Sequence, residues 1–270
     1  MQIVHARHVR LPARPRPDWL GVNQSLYQDL LGRHGRQVDE TLLARGSFHT
    51  HQDLADALLA ETLPSRPQLI LVAQALPDLL PFTAVAPYID HLLHGNGTQT
   101  LCLGVSQTGI AAPFFALRIA AAYAGQSRYR EAAIFILEQA TLPASRPGVD
   151  AGNLADTGVL LLTGSGGGGR HLPLSVRRAP DAATLESLVR EILAQPPGDA
   201  PEHVILGHAL PWEGLGVPVT RARPDQYTTG VWSALAALDP PVHRVLVADA
   251  DPGSGDYHLA VLASPATAAH

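Results

Sequence analysis

The strongest nucleophile this chain can offer is its single cysteine, Cys102. A thiol attacks as the thiolate, and Cys102 lies inside the apolar run 99–105 (QTLCLGV), where burial keeps the proton on sulfur. The run predicts a structural, inert cysteine. Ser106, His208 and Asp225 are the residue types of a Ser-His-Asp hydrolase. Ser106, however, stands in V-S-Q-T-G and not in the G-x-S-x-G that builds a strained nucleophile elbow. The 13 histidines invite a metal site, yet His49 and His51 are the only pair with a single residue between them. No carboxylate–histidine companion follows them, and they precede a helix whose N-terminus His51 or Asp53 would serve. Residues 165–169 (SGGGG) follow a strand as a phosphate loop would. They lead to another strand-like stretch, 171–176, without a helix start or a lysine, which predicts a flexible turn. The acids of 249–251, followed by Gly253 and Gly255 (DADPGSG), resemble a calcium loop only superficially.

Composition narrows the chemistry further. The 270 residues include 19 basic side chains, every one arginine, against 24 acidic ones, for a net charge of −5. Without lysine there is no Schiff-base nucleophile, no pyridoxal-phosphate anchor and no P-loop or kinase lysine. One cysteine excludes a disulfide within the chain and any multi-cysteine zinc or iron–sulfur site. A slightly acidic chain with no dense arginine run is not built to hold a phosphate backbone, so nucleic acid is not an expected partner. Residues 1–10 alternate apolar and polar side chains, lack the apolar core of a signal peptide and read as a first strand. The nearest approach to a membrane span, residues 108–125, contains Arg118. The expectation is a cytoplasmic protein with no membrane association.

The elements that must position these residues follow from periodicity. After a proline-rich connector (12–18), residues 24–33 and 51–62 carry apolar side chains at helical spacing. Residues 68–73 (QLILVA), 99–105, 132–137 and 158–163 are continuous apolar runs of strand length, with a helix at 82–93. Residues 108–124 are rich in alanine and apolar on nearly every face, which predicts a helix enclosed by other structure. Beyond a helix at 182–194 and a connector at 195–201, a second block places strands at 203–206, 217–221, 244–248 and 257–263 around a helix at 228–238. The order of the first block recurs, with 69–73 answered by 203–206, 99–105 by 217–221, and the helix opening at Thr108 by the one opening at Thr229. Strands 132–137 and 158–163 are answered in turn by 244–248 and 257–263. The pattern predicts an internal duplication, residues 1–200 and 201–270, in an α/β protein whose sheets are covered on both faces.

Three short stretches, in order and at matching spacing, carry a resemblance: 75–78 (ALPD), 81–84 (PFTA) and 105–109 (VSQTG). They resemble segments of the thiolase fold of condensing enzymes, and more closely of ketoacyl-ACP synthase III. The resemblance implies two duplicated βαβ halves in a layered α-β-α-β-α arrangement, with 249–255 as the glycine-rich turn between the last two strands. It implies no cofactor. The family's nucleophile is the cysteine of A-A-C-S-G at the start of the central helix, where the macrodipole and free backbone N–H groups stabilise its thiolate. In this chain that position is Gln107, whose amide cannot carry an acyl group. The family's histidine, from H-Q-A-N-x-R, corresponds to 206–210 (LGHAL) and brings forward His208, without the arginine that follows in the family. The family's asparagine, from G-N-x-S, corresponds to 223–230 (RPDQYTTG), which offers Asp225, Gln226 or Tyr227 instead. Trp19 and Arg45 lie near the family's coenzyme A-binding segment but match no motif in it.

Members of this family pair about a two-fold axis, laying the strand before the nucleophile beside its counterpart. That implies an interface through Phe82, Val85, Tyr88 and Cys102. The resemblance therefore implies a non-catalytic subunit of a heterodimeric ketoacyl-ACP synthase III-like enzyme in specialised, polyketide or fatty-acid-derived metabolism. It is similar in this to the inactive subunit of the two-chain alkylquinolone synthase. The partner would be a cysteine-bearing ketosynthase III-like subunit, and an acyl carrier protein or acyl-CoA would engage the complex. The alternatives are a stand-alone malonyl-ACP decarboxylase using Gln107 and His208, or an acyl-binding homodimer.

Overall fold

The computed structural model describes residues 2–80, 83–95, 100–126, 128–146, 149, 153–164, 175–196, 198–239 and 242–263. The chain opens with β1 (Gln2–Arg10), followed by α1 (Trp19–Gly32), α2 (Glu40–Ala44) and α3 (His51–Leu58). It continues through β2 (Leu69–Gln74), α4 (Val85–His94), β3 (Leu101–Ser106), α5 (Ala111–Ala124), β4 (Ala132–Glu138) and β5 (Thr157–Gly164). The remaining elements are β6 (Ser175–Ala179), α6 (Ala182–Leu193), β7 (His203–Leu206), β8 (Val219–Arg221), α7 (Gly230–Ala236), β9 (Arg244–Asp251) and β10 (Asp256–Ala263).

The strands form two five-stranded sheets, ordered β1-β5-β4-β2-β3 and β6-β10-β9-β7-β8. Read across, each sheet has two antiparallel pairings followed by two parallel ones. Each strand of one sheet thus has a topological equivalent in the other, and the correspondences expected from the order of elements hold. The β1–β6 equivalence is added by the structure. Because β6 pairs with β10 and α6 packs against the same sheet, residues 175–193 belong to the second sheet. The chain passes from the first sheet to the second between β5 and β6. β6 (SVRRA) is an edge strand with exposed arginines, and it lacks the apolar run that makes an interior strand legible.

Layering follows from alternation along the strands. In β2, Leu69, Leu71 and Ala73 face the central core while Ile70 and Val72 face outward to α3 and α4. β4 does the same with Ile134 and Ile136 against Phe135 and Leu137. In the second sheet, Val245 and Val247 of β9 face the centre, while Leu246 and Ala248 face α6. A period of two with both faces covered turns each interior strand into an unbroken apolar run. α5 and α7 fill the space between the sheets, and Phe114 meets Trp232 edge-on there with ring centroids 5.0 Å apart. This enclosure explains why α5 is apolar on nearly every face.

The sequence and the structure differ at several places. β3 is expected to be buried, yet it is the edge of its sheet, with Leu101, Cys102, Leu103 and Val105 half-buried and Gly104 and Ser106 exposed. α1 begins before residue 24, α3 ends before residue 62, and α4 begins at Val85. α3 is started by Thr50 and Asp53, each side chain accepting the other's backbone N–H, and Arg14 closes on Asp53 at 2.8 Å. Among the described residues no helix is long and apolar enough to cross a membrane.

Candidate functional site

Between the end of β3 at Ser106 and the start of α5 at Ala111 the chain must turn sharply. Gln107 makes that turn at φ 63°, in the left-handed region where a side chain is strained. Gly109 also has positive φ, and a Cβ there would stand 3.1 Å from the Tyr227 hydroxyl, so glycine is required for the close approach. The turn carries Gln107 to the boundary of two cavities, of about 660 and 330 Å³, which it lines together with Arg146. At a helix N-terminus a thiol would gain acidity. The carboxamide found there is a hydrogen-bond donor and acceptor with no nucleophilic form at neutral pH.

The smaller cavity is closed by the loop before α7 and by the β9–β10 hairpin. The Tyr227 hydroxyl donates to Asp251 at 2.6 Å, and burial together with that carboxylate pushes the phenol well up from its ordinary range. His258, almost fully buried on β10, stacks on Phe114 with centroids 5.3 Å apart. Its Nε2 lies 3.9 Å from Asp256, too far for a hydrogen bond. Burial holds the imidazole below its ordinary value, toward the neutral form. Neither His258 Nε2 nor Thr108 Oγ1 has a hydrogen-bond partner, and both residues line this cavity.

Behind the cavity, Glu138 ends β4 with no exposed surface. It accepts the backbone N–H of Tyr227 at 2.9 Å, of Thr229 at 3.3 Å and of Thr228, and the Thr229 hydroxyl at 3.3 Å. A carboxylate from the first sheet thereby fixes the start of α7 in the second half, helped by the Thr157–Thr229 hydroxyl pair at 2.5 Å. Burial nevertheless pushes Glu138 up to about 7, against those hydrogen bonds. Asp249, also buried, is pushed up to about 8 by desolvation and by the nearby Glu138 and Asp251. A Cβ at Gly207 would collide with the Asp249 carboxylate, so β7 and β9 meet closely there.

The residues singled out by sequence do not all converge. His208 is exposed after β7 and lines neither cavity beside Gln107. Of the three candidates for the asparagine position, only Tyr227 lines the smaller cavity. Asp225 is held by Arg10 at 2.6 Å and Arg223 at 3.0 Å, which lower it to about 2, and Gln226 donates to Ser233. Cys102 sits opposite Ile70 on the edge strand, and burial pushes its thiol up to about 11. Val85 is buried, Tyr88 is half-buried with its hydroxyl donating to Asp56 at 2.6 Å, and Phe82 lies outside the described residues.

Ser106 is exposed at the end of β3. His49 contacts the Pro12 carbonyl through Nε2 at 2.8 Å. Among the described residues no three His, Cys, Asp or Glu side chains group as metal ligands. Trp19 opens α1, and Arg45 caps α2. The stretch 165–169 lies outside the described residues. Residues 252–255 form the expected turn, with Asp251 accepting the N–H groups of Gly253 and Ser254 at 3.0 and 3.3 Å. Sequence reasoning missed Glu138, Asp256 and His258, and placed Asp251 only in the turn before the last strand. Only Glu138 carried a signal, as the lone acid ending an otherwise apolar strand.

No protein-family model matches the chain, and neither does any curated protein. Solved structures do. Pseudomonas aeruginosa 3-oxoacyl-(acyl carrier protein) synthase III is 12% identical with a TM-score of 0.61, covering 98% of both chains. Cerulenin-bound OleA of Xanthomonas campestris is 15% identical with a TM-score of 0.63, covering 97% of this chain and 98% of its own. The tetronic acid condensing enzyme AbyA1 is 15% identical with a TM-score of 0.57, covering 97% and 99%. At these identities the likeness is one of fold: the chain has the thiolase-like architecture of the condensing enzymes over essentially its whole length.

Proposed function

We propose that the chain is a non-catalytic subunit of a heterodimeric ketoacyl-ACP synthase III-like enzyme, which condenses or transfers acyl groups in specialised metabolism. The observation that carries this reading is Gln107. In the resemblance the β3–α5 turn, strained at φ 63°, corresponds to the place of the family's cysteine, and the residue there is an amide with no nucleophilic form. A strained turn costs about 1–3 kcal/mol. Strain held around a residue that cannot be acylated fits a chain whose shape is used in place of its chemistry.

The edge strand β3 supports the same reading. Its outer backbone groups have no strand partner among the described residues, while its side chains are largely apolar. An edge of that kind is a template for a second strand. A cysteine-bearing chain of the same fold, pairing there, would continue the sheet and bring its own nucleophile near the segment that contains Val85 and Tyr88. The acyl carrier protein or acyl-CoA would then engage the complex through the partner. The test is co-expression with a ketosynthase III-like chain that retains cysteine, encoded nearby. Condensation that requires both chains, with acyl label found only on the partner's cysteine, supports the proposal. Acyl transfer by the partner at an unchanged rate without this chain would refute it.

One observation favours a second reading, decarboxylation of malonyl-ACP by this chain alone. Gln107 and the unpartnered His258 line one cavity, so an amide and an imidazole face the same space, as stabilisation of an enolate oxygen would require. Malonyl-ACP decarboxylation by the isolated chain, lost in His258→Leu, would establish it over the subunit reading.

A further inference from the structure

Another cavity, about 570 Å³, lies away from Gln107 and shares no lining residue with the two beside it. It is lined by the end of β1 (His8, Arg10), by His203 of β7, by β8 and the residues after it (Thr220, Arg221, Arg223, Gln226), and by one side of α7. α7 contributes Gly230, Ser233 and Ala234, with Ala237 and Leu238 just beyond it, so the floor consists mostly of small side chains. The walls are polar and bring three arginines together in a chain whose net charge is −5. Overall charge therefore does not account for the basic character of this cavity.

Part of the wall is structural. Arg10 donates to Asp225 at 2.6 Å, and Arg223 grips the same carboxylate through Nε and Nη2 at 3.0 and 3.1 Å. Arg221 donates to the carbonyls of Leu210 and Trp212 through Nη1 and Nη2. His203 and Thr220 satisfy each other at 2.8 Å. A guanidinium carries more donors than these bonds use. Nε and Nη2 of Arg10, Nη1 of Arg223 and Nε of Arg221 have no protein partner among the described residues. Gln226 is an independent observation. It is 4% exposed, its Nε2 donates to Ser233 Oγ at 3.2 Å, and its Oε1 is buried without a partner. Turning the amide over exchanges the two atoms, so one polar atom of this side chain stays unbonded either way. Leaving a buried polar atom unpaired is costly, and the local fold supplies no bond that would explain it.

Charge selects the class of ligand. Asp225 offsets one of the three guanidinium charges and leaves two. The carboxylate in the lining itself, Asp239, lies past the far end of α7, a helix about 10 Å long at 1.5 Å per residue. Arg223 and Gln226 stand at its near end, where a Cβ on Gly230 would lie 3.9 Å from the Arg223 carbonyl and 3.6 Å from the Gln226 Cβ. The arginine end of the cavity therefore suits two negative charges carried on clustered oxygens. A phosphomonoester is close to a dianion at neutral pH, and guanidinium groups match its oxygens. Gln226 then requires, beside the phosphate, a group that can either donate or accept, which a hydroxyl does. We propose that this cavity binds a phosphomonoester of a small polyol or sugar. The phosphate lies against Arg10, Arg221 and Arg223, a hydroxyl meets Gln226, and the carbon skeleton runs along the small side chains of α7. A volume of this order suits a small molecule. The subunit reading uses none of these contacts, so the two hold or fail independently.

The test is calorimetric titration of glycerol 3-phosphate, ribose 5-phosphate, ribose and inorganic phosphate into the purified full-length protein, in phosphate-free buffer and with any co-purifying subunit left in place. At least one of the two esters is expected to saturate and to bind at least tenfold more tightly than inorganic phosphate, while ribose does not bind. Arg10→Gln, which leaves Arg223 on Asp225, should weaken that ester and inorganic phosphate alike, about tenfold. Gln226→Leu, which keeps the side chain's bulk, should weaken the ester about tenfold and leave inorganic phosphate unchanged. Only this chain is altered in the variants, so binding by a co-purifying subunit would not respond to them. If Gln226→Leu does not fold by circular dichroism, Arg10→Gln, at an exposed position, decides. Absence of saturable binding of either ester to the folded protein would overturn the proposal. So would esters that bind no more tightly than inorganic phosphate, which would mean an ion held by charge alone, or an Arg10→Gln variant that binds the ester like the wild type.

Discussion

Substituting Glu138 by glutamine tests how the two halves of the molecule are held together. Each carboxylate oxygen accepts from two donors, Oε1 from the Tyr227 N–H and the Thr229 hydroxyl, and Oε2 from the N–H groups of Thr228 and Thr229. In Glu138→Gln, one of those oxygens becomes an NH2 that faces donors. Two buried donors lose their acceptor, at about 1–3 kcal/mol each, so a loss of about 2–6 kcal/mol is expected at pH 5. The penalty should depend on pH. Burial pushes Glu138 up to about 7 from an ordinary 4.5, so the folded chain holds this proton more tightly than the unfolded chain does. That contribution is fully present below pH 4.5 and is lost as pH rises through 7, amounting to about 3 kcal/mol. Glutamine has no such proton to lose. Urea unfolding of wild type and variant, followed by circular dichroism at pH 5, 7 and 9, should therefore show the gap narrowing by about 3 kcal/mol between pH 5 and pH 9. A gap that stays constant or widens with pH would refute the reasoning, because it would mean that the four hydrogen bonds outweigh burial and keep Glu138 ionised throughout.

Tyr227→Phe removes the donor to the buried Asp251 and is expected to destabilise the fold by about 1–3 kcal/mol, read from the same urea curves. Trp232→Ala empties the space between α5 and α7 and should cost about 3–5 kcal/mol, seen as a lower Tm. Cys102 should react with iodoacetamide at pH 8 about a hundredfold more slowly than a thiol of ordinary acidity, because its proton is held up to about 11 against 9.0; mass spectrometry of a time course checks this. Gly104→Arg should leave the isolated chain folded, since nothing lies within 4 Å of a Cβ there. The exposed arginine on the edge strand should nevertheless abolish co-purification with a cysteine-bearing partner, and an undiminished complex on size-exclusion chromatography would argue against pairing through β3.

Much of the architecture was legible in the chain because burial leaves a chemical record. β2, β4 and β5 are covered on both faces, and a strand so placed can hold only apolar side chains, as LILVA and AAIFIL show. α5 is enclosed between sheets, and its alanine-rich, nearly uncharged composition states that directly. The edge elements left a weaker record. β6 is hidden by its arginines, which an edge strand can point into solvent, and β3 reads as buried because Leu101, Leu103 and Val105 pack against the central core although the strand itself is an edge. The exclusion of lysine chemistry and of a cysteine nucleophile at position 107 needed nothing beyond the residues themselves.

The site was less legible because it is assembled from both halves. Gln107 could be located from its place between a strand and a helix, but what stands around it depends on how the two sheets are stacked over α5 and α7. That stacking brings Tyr227, Asp251 and His258 to one side of Gln107, and Gln74 and His51 to the other, from positions up to 207 residues apart in the chain. It also leaves His208, the histidine that a linear motif favours, facing solvent. Residue identity determined that position 107 is a glutamine, with no nucleophilic form, and that the strands and helices follow the order of a duplicated α/β fold. Only the tertiary structure decided which polar groups are buried and unpaired beside Gln107, because desolvation and hydrogen-bond satisfaction belong to neighbours in space and not to neighbours in sequence.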